Sequence, residues 1–411
     1  MSKIKGLKAR EILDSRGNPT IEVELETDNG KFIDSVPSGA SVGKSEAVEL
    51  KDGGKRYEGK GVLKAIEHIE KRIFPVIKEF SPERQSEIDE KMIALDGTSK
   101  KENLGANAIM AVSLSVCRAG AEIKGLPLFE YISLLSGSGL KMPSPCFNVI
   151  NGGKHAGGNL SFQEFMINFQ GLPFDEQIRA GSEVYHELKG IIGDKYGKNS
   201  CNLGDEGGFS PPLISPKEAL SLIMEAARSL GYDGNLNIFL DPAASEFYDS
   251  KTRTYFFEGK SHTKEELIGY YADLCAEYPI ISIEDPLEQN DFEGFNILRK
   301  KLGADILIIG DDLTVSNVNL IEKAYEKNAL NGLLLKINQV GTVSEAIEAA
   351  NLAKSYGWKV MVSHRSGETT DDFIADFAVG IGADYIKSGA PARGERVVKY
   401  NRLLKINTLL K

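Results

Sequence analysis

From about residue 140 onward, short apolar runs recur along the chain, and each is followed by a helical pattern. The runs occupy residues 237–240, 279–283, 306–309, 333–335, 360–362 and 385–386. Their spacing, roughly 25 to 40 residues, is the size of a βα unit. Nearly continuous apolar strands that alternate with helices are typical of a parallel sheet covered by helices. Six such units, with room for more upstream, favour a (β/α)8-type barrel over a doubly wound sheet, and no Gly-x-Gly-x-x-Gly fingerprint accompanies them.

The first part of the chain has a different, α+β pattern. Residues 19–26 alternate between polar and apolar, and residues 31–36 predict the return strand of a hairpin that turns before Gly30. Helical patterns follow at residues 61–79, 82–95 and 105–123. We therefore predict an N-terminal α+β capping domain at residues 1–135 and a catalytic barrel domain at residues 136–411.

Composition and charge argue against several classes of protein. Hydrophobic residues make up 41% of the chain and charged residues 26%, which is ordinary for a globular protein. The formal net charge is -10, so no partner is expected among nucleic acids or anionic membranes. We find no apolar run as long as a membrane span and no signal-peptide pattern at the start. The four cysteines are far apart, which predicts reduced thiols in a cytoplasmic protein.

Polar and charged side chains follow each apolar run. They are Asp241, Glu284 with Asp285, Asp311 with Asp312, Lys336, residues 363–366 and Lys387. In a barrel these positions lie at the C-terminal end of the strands, where active sites are found. Asp241 and Asp285 each precede a proline, so either could instead cap a helix. Three acids that converge at one end would repel one another without a cation, and ligands that are all oxygen atoms suit magnesium.

Two lysines and an arginine complete this set. Beside another cation and a metal ion, the ammonium form of Lys336 would be disfavoured, so its pKa would fall and it could act as a general base. The alternative is that Lys336 and Lys387 form ion pairs with the acids. Arg365 and Ser366 are candidates for an anion clamp, because a guanidinium binds phosphate through two hydrogen bonds. A surface salt bridge remains the alternative for Arg365.

Two segments upstream combine glycine with acids or polar residues. Residues 151–155 have the sequence NGGKH and are followed by Gln163 and Glu164, and residues 204–208 have the sequence GDEGG. Glycines beside acids predict an exposed, sharply bent loop that brings a carboxylate to a ligand, with a solvated turn as the alternative. His155, like His364, could equally be a structural histidine.

Residues 38–45, with the sequence SGASVGKS, end like a Walker A loop. Only three residues separate its glycines, whereas a phosphate-binding loop requires four, and the segment that follows is acidic. We therefore predict a flexible loop over an active site, or a surface loop, and not a nucleotide site.

Six motifs taken together resemble the enolase family. They are DSRGNPT at 14–20, SGAS at 38–41, QEFM at 163–166, GDEGG at 204–208, SIEDP at 282–286 and SHRSGE at 363–368. The resemblance extends from about residue 9 to about residue 406. It implies an α+β cap on a barrel whose first units are irregular. It also implies the magnesium-dependent, reversible dehydration of 2-phosphoglycerate to phosphoenolpyruvate, a lyase reaction of glycolysis, in a homodimer or larger even oligomer.

The resemblance also implies a role for individual residues. The implied metal ligands are Asp241, Glu284 and Asp311, with Ser41 binding a second magnesium ion when the loop closes; the implied base is Lys336; the implied acid is Glu206, assisted by Glu164; and the implied substrate contacts are His155, Gln163, His364, Arg365, Ser366 and Lys387. Burial near Glu164 is expected to raise the pKa of Glu206, so that it holds the proton it must donate.

One departure from the family and three alternatives remain open. Val42 stands where the loop of the family usually has threonine, which leaves the details of loop closure undecided. The chain could be a barrel aldolase that uses Lys336 as a Schiff-base nucleophile. It could also be a related enzyme for another carboxylate substrate, or a non-catalytic paralogue with a surface-binding role.

Overall fold

The N-terminal part of the chain is built on a small antiparallel sheet. The computed structural model describes residues 2–39, 43 and 45–411. Its first three strands, β1 (Ile4–Leu13), β2 (Pro19–Thr27) and β3 (Gly30–Ser35), form a sheet in the order β1-β2-β3. The predicted hairpin of β2 and β3 is confirmed, with Thr27 opposite Gly30. The sequence patterns missed β1, because only Ile4 and Leu7 of this strand are fully buried and no apolar alternation marks it.

Five helices follow in this part of the chain. They are α1 (Leu63–His68), α2 (Phe74–Ile77), α3 (Gln85–Asp96), α4 (Ala106–Lys124) and α5 (Leu128–Ser136). The helix predicted at 61–79 is present but interrupted, because a wider π turn, Ile69–Ile73, separates α1 from α2. Pro75 follows that turn and has no N–H to donate to the preceding turn. The helix predicted at 105–123 is confirmed as α4, which is buried over most of its length and packs across β2 and β3.

The rest of the chain contains eleven further strands. In chain order they are β4 (Ser144–Asn151), β5 (Glu164–Asn168), β6 (Asn237–Asp241), β7 (Tyr248–Asp249), β8 (Thr254–Phe257), β9 (Lys260–His262), β10 (Ile280–Glu284), β11 (Leu307–Gly310), β12 (Gly332–Leu335), β13 (Lys359–Ser363) and β14 (Tyr385–Lys387). All six predicted apolar runs are strands. Strands β7 to β9 form a small separate sheet, and the other eight close into a barrel in which β14 pairs with β4.

The barrel is parallel except around β5. This strand pairs antiparallel with both β4 and β6, so the irregular first units implied by the family resemblance are confirmed, and the six predicted runs pair in parallel as expected. Parallel neighbours need a crossover helix between them. Between β4 and β5 the only helical element is the short 3₁₀ turn Gly153–His155, so the chain reverses direction instead.

Nine helices accompany the barrel strands. They are α6 (Phe174–Tyr196), α7 (Pro216–Ser229), α8 (Lys264–Glu277), α9 (Phe292–Leu302), α10 (Val318–Glu326), α11 (Ile337–Val340), α12 (Val343–Ser355), α13 (Phe373–Gly380) and α14 (Gly394–Leu410). Among the described residues, no helix combines the length and the apolar character that crossing a membrane requires.

Side chains fill the inside of the barrel. A cluster separate from the main core takes one buried residue from each of seven barrel strands: Cys146, Met166, Phe239, Ile309, Leu334, Met361 and Tyr385. The eighth barrel strand, β10, contributes the partly buried Ile281. The barrel is therefore a packed support, and ligands can reach only the groups at its ends.

Arg118 on α4 joins the capping part to the barrel. Its guanidinium nitrogens lie 2.5 Å from an oxygen of Asp34 on β3, 3.0 Å from Asp371 and 3.2 Å from Asp372. Burial and the charge of Asp371 raise the pKa of Asp34 well above its ordinary value, and Arg118 opposes that rise. Since Asp371 and Asp372 follow β13, this contact holds the cap against one end of the barrel.

Replacing Arg118 with methionine is expected to lower the free energy of unfolding by about 3 kcal/mol, because the variant leaves the buried Asp34 without its partner. Denaturant unfolding at neutral pH measures the loss. The matched control is Arg84→Met, which breaks an exposed pair with Glu87 and should change stability little. Similar, small effects for both variants would contradict the role given to Arg118.

Candidate active site

The C-terminal ends of the barrel strands surround a buried cleft. Its lining contains His155, Gln163, Glu164, Glu206, Asp241, Ala243, Asp285, Asp311, Asp312, Lys336, Ser363, His364, Arg365, Ser366 and Lys387. Glu284, at the end of β10, reaches the same place through Lys387. The structure thus brings together every described residue that the sequence assigned to the site. The proposed ligand Ser41 and the neighbouring Val42 lie outside the described residues.

The described ends of the loop at 38–45 lie against the barrel. Ser38 pairs with Gly367 in an isolated antiparallel bridge. A Cβ on Gly43 would lie 2.9 Å from Val315 and 3.0 Å from Asp312, so this glycine approaches the rim closely. These described residues therefore lie beside groups of the cleft, whereas residues 40–42 and 44, on which the prediction of a flexible loop also rests, are outside the described part of the chain.

Both lysines are paired with acids. Lys336 Nζ lies 2.5 Å from Asp311 Oδ2. Lys387 Nζ lies 2.8 and 2.9 Å from the two oxygens of Glu284, 3.2 Å from Glu164 and 3.5 Å from Asp241. The ion-pair alternative is thus realised for both lysines.

The predicted fall in the pKa of Lys336 depends on a metal ion beside it, and in the protein without that ion the pKa is shifted the other way. Burial disfavours the ammonium form, but the adjacent Asp311 outweighs it, and the pKa of Lys336 lies above its ordinary value. Asp311 shows the matching effect. Burial alone would raise its pKa, and Lys336 together with Lys387 brings the pKa below its ordinary value.

The three predicted metal ligands lie at neighbouring strand ends, and their charges are crowded. Burial raises the pKa of Asp241 to about 7 and that of Glu284 well above its ordinary value. Nearby carboxylates add to both rises, and the charge of Lys387 opposes them. Asp241 and Glu284 share the ammonium of Lys387, whereas Asp311 belongs to another group. Its carboxylate and those of Asp285 and Asp312 place one oxygen each within 4.8 Å of one another.

Asp285 is a functional residue to which the sequence assigned only a capping alternative. Its two carboxylate oxygens accept the backbone N–H groups of Asp311 (2.9 Å) and Asp312 (2.8 Å). No helix begins beside it, and the next helix, α9, is capped by Asp291. The capping alternative for Asp285 is therefore wrong: this side chain holds the end of the neighbouring strand in place. Asp241 likewise caps no α-helix, and its Oδ1 accepts the N–H of Ala243 at 2.9 Å.

A second group of side chains that could bind a metal ion contains the predicted general acid, Glu206, and Glu164, which is predicted to assist it. One atom each of His155, Glu164 and Glu206 lie within 4.8 Å of one another. His155 Nδ1 is 3.6 Å from Glu164 Oε1 and 3.5 Å from Glu206 Oε1. On its other oxygen, Glu206 accepts from Asn148 Nδ2 at 2.9 Å. Asn148, which sequence reasoning missed, lies in β4 and carries no motif that marks it.

The pKa values of the two glutamates are shifted in opposite directions. Burial and the charge of Glu206 raise the pKa of Glu164 to about 8. Burial also acts on Glu206, but His364 and His155 outweigh it and bring its pKa well below the ordinary value. The expected rise in the pKa of Glu206 is therefore not found in this structure, and Glu164 is the member of the pair whose pKa is raised.

The loop that carries Glu206 is bent but not exposed. Glu206 is only 2% exposed, so both the exposed loop and the solvated turn expected from the sequence are wrong. Gly207 has φ +86°, a conformation that side chains with a Cβ rarely adopt. A Cβ on Gly204 would lie 2.6 Å from the carbonyl oxygen of His155. The glycines thus let the loop pack tightly against β4 and its continuation.

Arg365 is buried, so the surface salt bridge considered for it is wrong. Its guanidinium donates to Glu46 Oε2 (2.8 Å) and to Asn338 Oδ1 (3.0 Å). Ser366 Oγ lies 3.5 Å from Arg16 NH1 of the capping part. Sequence reasoning assigned no role to Glu46 or Asn338, because neither directly follows an apolar run.

Gln163 and His155 present polar atoms to the cleft. The backbone N–H of Gln163 donates to Asp241 O at 3.0 Å. Its side-chain Oε1 is buried and has no hydrogen-bond partner within the described part of the chain. Burial lowers the pKa of His155, so its imidazole is neutral at physiological pH. Both residues can therefore exchange hydrogen bonds with an uncharged group of a ligand.

Comparisons with known proteins cover nearly the whole chain. Residues 4–132 match the family model described as "Enolase, N-terminal domain", and residues 139–411 match the one described as "Enolase, C-terminal TIM barrel domain". "Enolase B" of Dictyostelium discoideum is 53% identical over 98% of this chain and 94% of its own. "Enolase" of Methanocaldococcus jannaschii is 53% identical over 98% of this chain and 95% of its own. "Enolase" of Mastigamoeba balamuthi is 51% identical, covering 99% and 95% respectively.

Proposed function

This chain belongs to the enolase family and is a phosphopyruvate hydratase, and we propose that Lys336 and Glu206 move the two protons of its reaction. The reaction is the reversible dehydration of 2-phospho-D-glycerate to phosphoenolpyruvate, a lyase step of glycolysis. The observation that carries the assignment of roles is that one buried cleft contains both the Lys336 amine and the Glu206 carboxylate, together with Arg365.

Lys336 is proposed as the general base. The proton to be removed lies next to a carboxylate and is only weakly acidic, so a base must be held close to it and the charge that develops must be stabilised. Lys336 is buried, and its amine is aimed by the hydrogen bond to Asp311. It can accept the proton once its own proton has left, and a cation that takes up the charge of Asp311 would lower the pKa of Lys336 and so favour that loss.

Magnesium is the cofactor that we propose for this site. Asp241, Glu284 and Asp311 offer only oxygen donors, as magnesium prefers, and the pKa values of Asp241 and Glu284 are raised first by burial and then by neighbouring carboxylates, both of which a bound cation would offset. These residues would hold one ion, and Ser41 would bind a second. Bound magnesium supplies positive charge to stabilise the enediolate form of the substrate carboxylate.

Glu206 is proposed as the general acid, with Glu164 as the store of its proton. Hydroxide is a poor leaving group, so a proton must reach the substrate hydroxyl as the bond breaks. The raised pKa of Glu164, about 8, supports Glu164 as the place where that proton is stored. His155 lies between the two carboxylates, 3.6 Å from one and 3.5 Å from the other, so a short transfer would deliver the proton to Glu206.

The remaining polar groups would bind the substrate. Arg365 and Ser366 would hold the phosphate, because a guanidinium matches its geometry. The buried Oε1 of Gln163 and the neutral His155 would contact the hydroxyl or carboxylate groups. Lys387 would meet the substrate carboxylate only as part of its ion-paired group with Glu284, Glu164 and Asp241. His364, beside Glu206, would contact the same end of the substrate.

Removing magnesium is expected to abolish the reaction. Formation of the enol phosphate from 2-phosphoglycerate is followed by its ultraviolet absorbance, with and without an excess of chelator, and then after magnesium is added back. We expect activity to disappear with the chelator and to return with magnesium, because the negative charge that develops on the substrate carboxylate would otherwise lack the cation that stabilises it. Undiminished activity in the chelator would exclude the proposed metal site.

Two alternatives can be separated from this proposal. A Schiff-base aldolase would be trapped by borohydride at Lys336 in the presence of a carbonyl substrate. The three acids at the neighbouring strand ends, Asp241, Glu284 and Asp311, have no role in that chemistry and disfavour it. A non-catalytic paralogue would show no enol phosphate at any magnesium concentration.

The domain boundary, the assembly and the location are part of the same proposal. The two family models meet between residues 132 and 139, which supports a boundary at 135/136. We propose a homodimer or a larger even oligomer. Light scattering of the protein as it elutes from a size-exclusion column would measure the molar mass of the assembly. A cytoplasmic location is supported by the free thiols of all four cysteines.

A further inference from the structure

One arginine of the C-terminal helix connects the loops that carry the acid and the phosphate clamp. Arg396, near the start of α14, is fully buried. Its NH1 lies 2.6 Å from His364 Nδ1 and donates to the carbonyl oxygen of Arg365 at 2.6 Å. Its NH2 donates to the carbonyl oxygens of Ser366 (2.6 Å) and Asp205 (3.1 Å). Arg396 thus holds the chain on either side of the cleft without lining it.

The contact with His364 decides which ring nitrogen carries the proton. A guanidinium has donors and no acceptor, so Nδ1 of His364 must be the unprotonated nitrogen that accepts. A neutral imidazole then has its proton on Nε2, and this atom lies 3.2 Å from Glu206 Oε2. Burial lowers the pKa of His364 to about 4. The charge of Glu206 acts against this fall, and the charge of Arg396 adds to it. The ring is therefore neutral at physiological pH.

The result is a directional arrangement around the proposed acid. Glu206 Oε2 faces the Nε2–H of His364 and also accepts from Asn148, whereas Glu206 Oε1 faces His155 and the Glu164 side. Oε2 thus accepts a hydrogen bond from Asn148 and has the Nε2 of His364 at 3.2 Å, without the geometry of a hydrogen bond, whereas Oε1 is on the side of Glu164. The other tautomer of His364 would present a lone pair to Glu206 Oε2 and would repel it.

We propose that Arg396 is a positioning residue that fixes the Nε2–H tautomer of His364 and, through it, the orientation of Glu206. The inference rests on the proposed role of Glu206 as general acid, but the tautomer itself can be measured independently of the reaction. The charged groups that surround the His364 ring are Glu206, Glu368 and Arg396, and Glu368 is in turn paired with Lys399 at 2.9 Å. Of these, Arg396 touches the ring at Nδ1.

The experiment uses the full-length protein labelled with ¹⁵N at its histidine rings. The chain has only five histidines, and a His364→Asn variant identifies the signals of His364. The test variants are Arg396→Met, which removes the donors, and Arg396→Lys, which keeps the charge but cannot bridge all four acceptors. The matched control is Arg402→Met, because Arg402 lies on the same helix and donates to Asp376, away from the cleft.

In the wild-type protein and in Arg402→Met we expect a neutral His364 with its proton on Nε2. In the Arg396 variants we expect a mixture of the two neutral tautomers, or a charged ring, and a fall of kcat/KM by about 10²-fold, as for a misdirected acid–base group. If Arg396→Met fails to fold, Arg396→Lys decides, and the wild-type spectrum is a test that needs no variant.

Three results would overturn the inference: a wild-type ring with its proton on Nδ1, an unchanged tautomer in a folded Arg396 variant, or a changed tautomer with normal turnover. Failure of the proposed function is distinguishable from these. A wild-type protein without hydratase activity, in which the tautomer still depends on Arg396, would refute the role of Glu206 and support the structural inference.

Discussion

Replacing Lys336 with alanine is expected to slow the exchange of the C2 proton of 2-phosphoglycerate with solvent by about 10³-fold, within the range for loss of a general base. The physical reason is that the amine of Lys336 is buried in the cleft and held at 2.5 Å by Asp311, where no water molecule could replace it with the same basicity and position. Incorporation of deuterium at C2, followed by proton NMR in magnesium-containing D₂O, measures the rate without requiring complete dehydration.

The control for this variant is Lys359→Ala. Lys359 lies at the opposite, N-terminal end of β13 and pairs with Asp384 at 3.0 Å, so exchange should remain normal. Because Lys336→Ala leaves Asp311 without its partner, thermal unfolding must be recorded to confirm that the variant is folded. Exchange at the normal rate in folded Lys336→Ala would refute the base assignment. Loss of exchange in Lys387→Ala alone would transfer that role to Lys387.

Replacing Glu206 with glutamine is expected to lower the rate of dehydration by about 10² to 10³-fold while exchange at C2 continues. The amide keeps the shape of the carboxylate and can still accept from Asn148, but it cannot deliver a proton to the leaving hydroxyl. The comparison of enol phosphate formation with deuterium exchange, measured on the same sample, separates the two steps of the reaction.

Glu164→Gln is the matched variant for the same experiment. The pKa of about 8 places the proton on Glu164 in the structure, and a neutral amide resembles that protonated state. We therefore expect a smaller loss of dehydration than in Glu206→Gln, since Glu206 can also be protonated from solvent. A larger loss in Glu164→Gln, with exchange intact, would show that the two glutamates have the opposite roles.

Several site residues could be predicted because a barrel has a simple rule of direction. The residues after five apolar runs, Asp241, Glu284, Asp311, Lys336 and Lys387, had to meet at one end if the strands were parallel. The rule needs only the order of strands and helices, and the apolar pattern reveals that order. The apolar pattern could not predict β1, because most side chains of this strand are not buried and show no apolar alternation. It also could not predict that β5 is antiparallel, because the direction of that strand depends on the connection before it.

Other parts of the site had no signal in the sequence. Glu46, Asn148, Asn338 and Arg396 come from loops, a strand interior and a helix start that are distant along the chain. Each is polar in a place where polar residues are common. Only their convergence on Arg365, Glu206 and His364 distinguishes them, and convergence is a property of the folded chain.

The amino-acid sequence alone was sufficient for the barrel, for the end of it that carries the chemistry, and for nearly all of the chemical groups gathered there. The folded arrangement was needed to decide which acid pairs with which lysine, and in which direction the pKa values of Glu164, Glu206 and Lys336 are shifted. The reason is that hydrophobic periodicity is local and survives in the sequence. The state of a buried charge depends on desolvation and on charges a few ångströms away, and distant parts of the chain supply most of these.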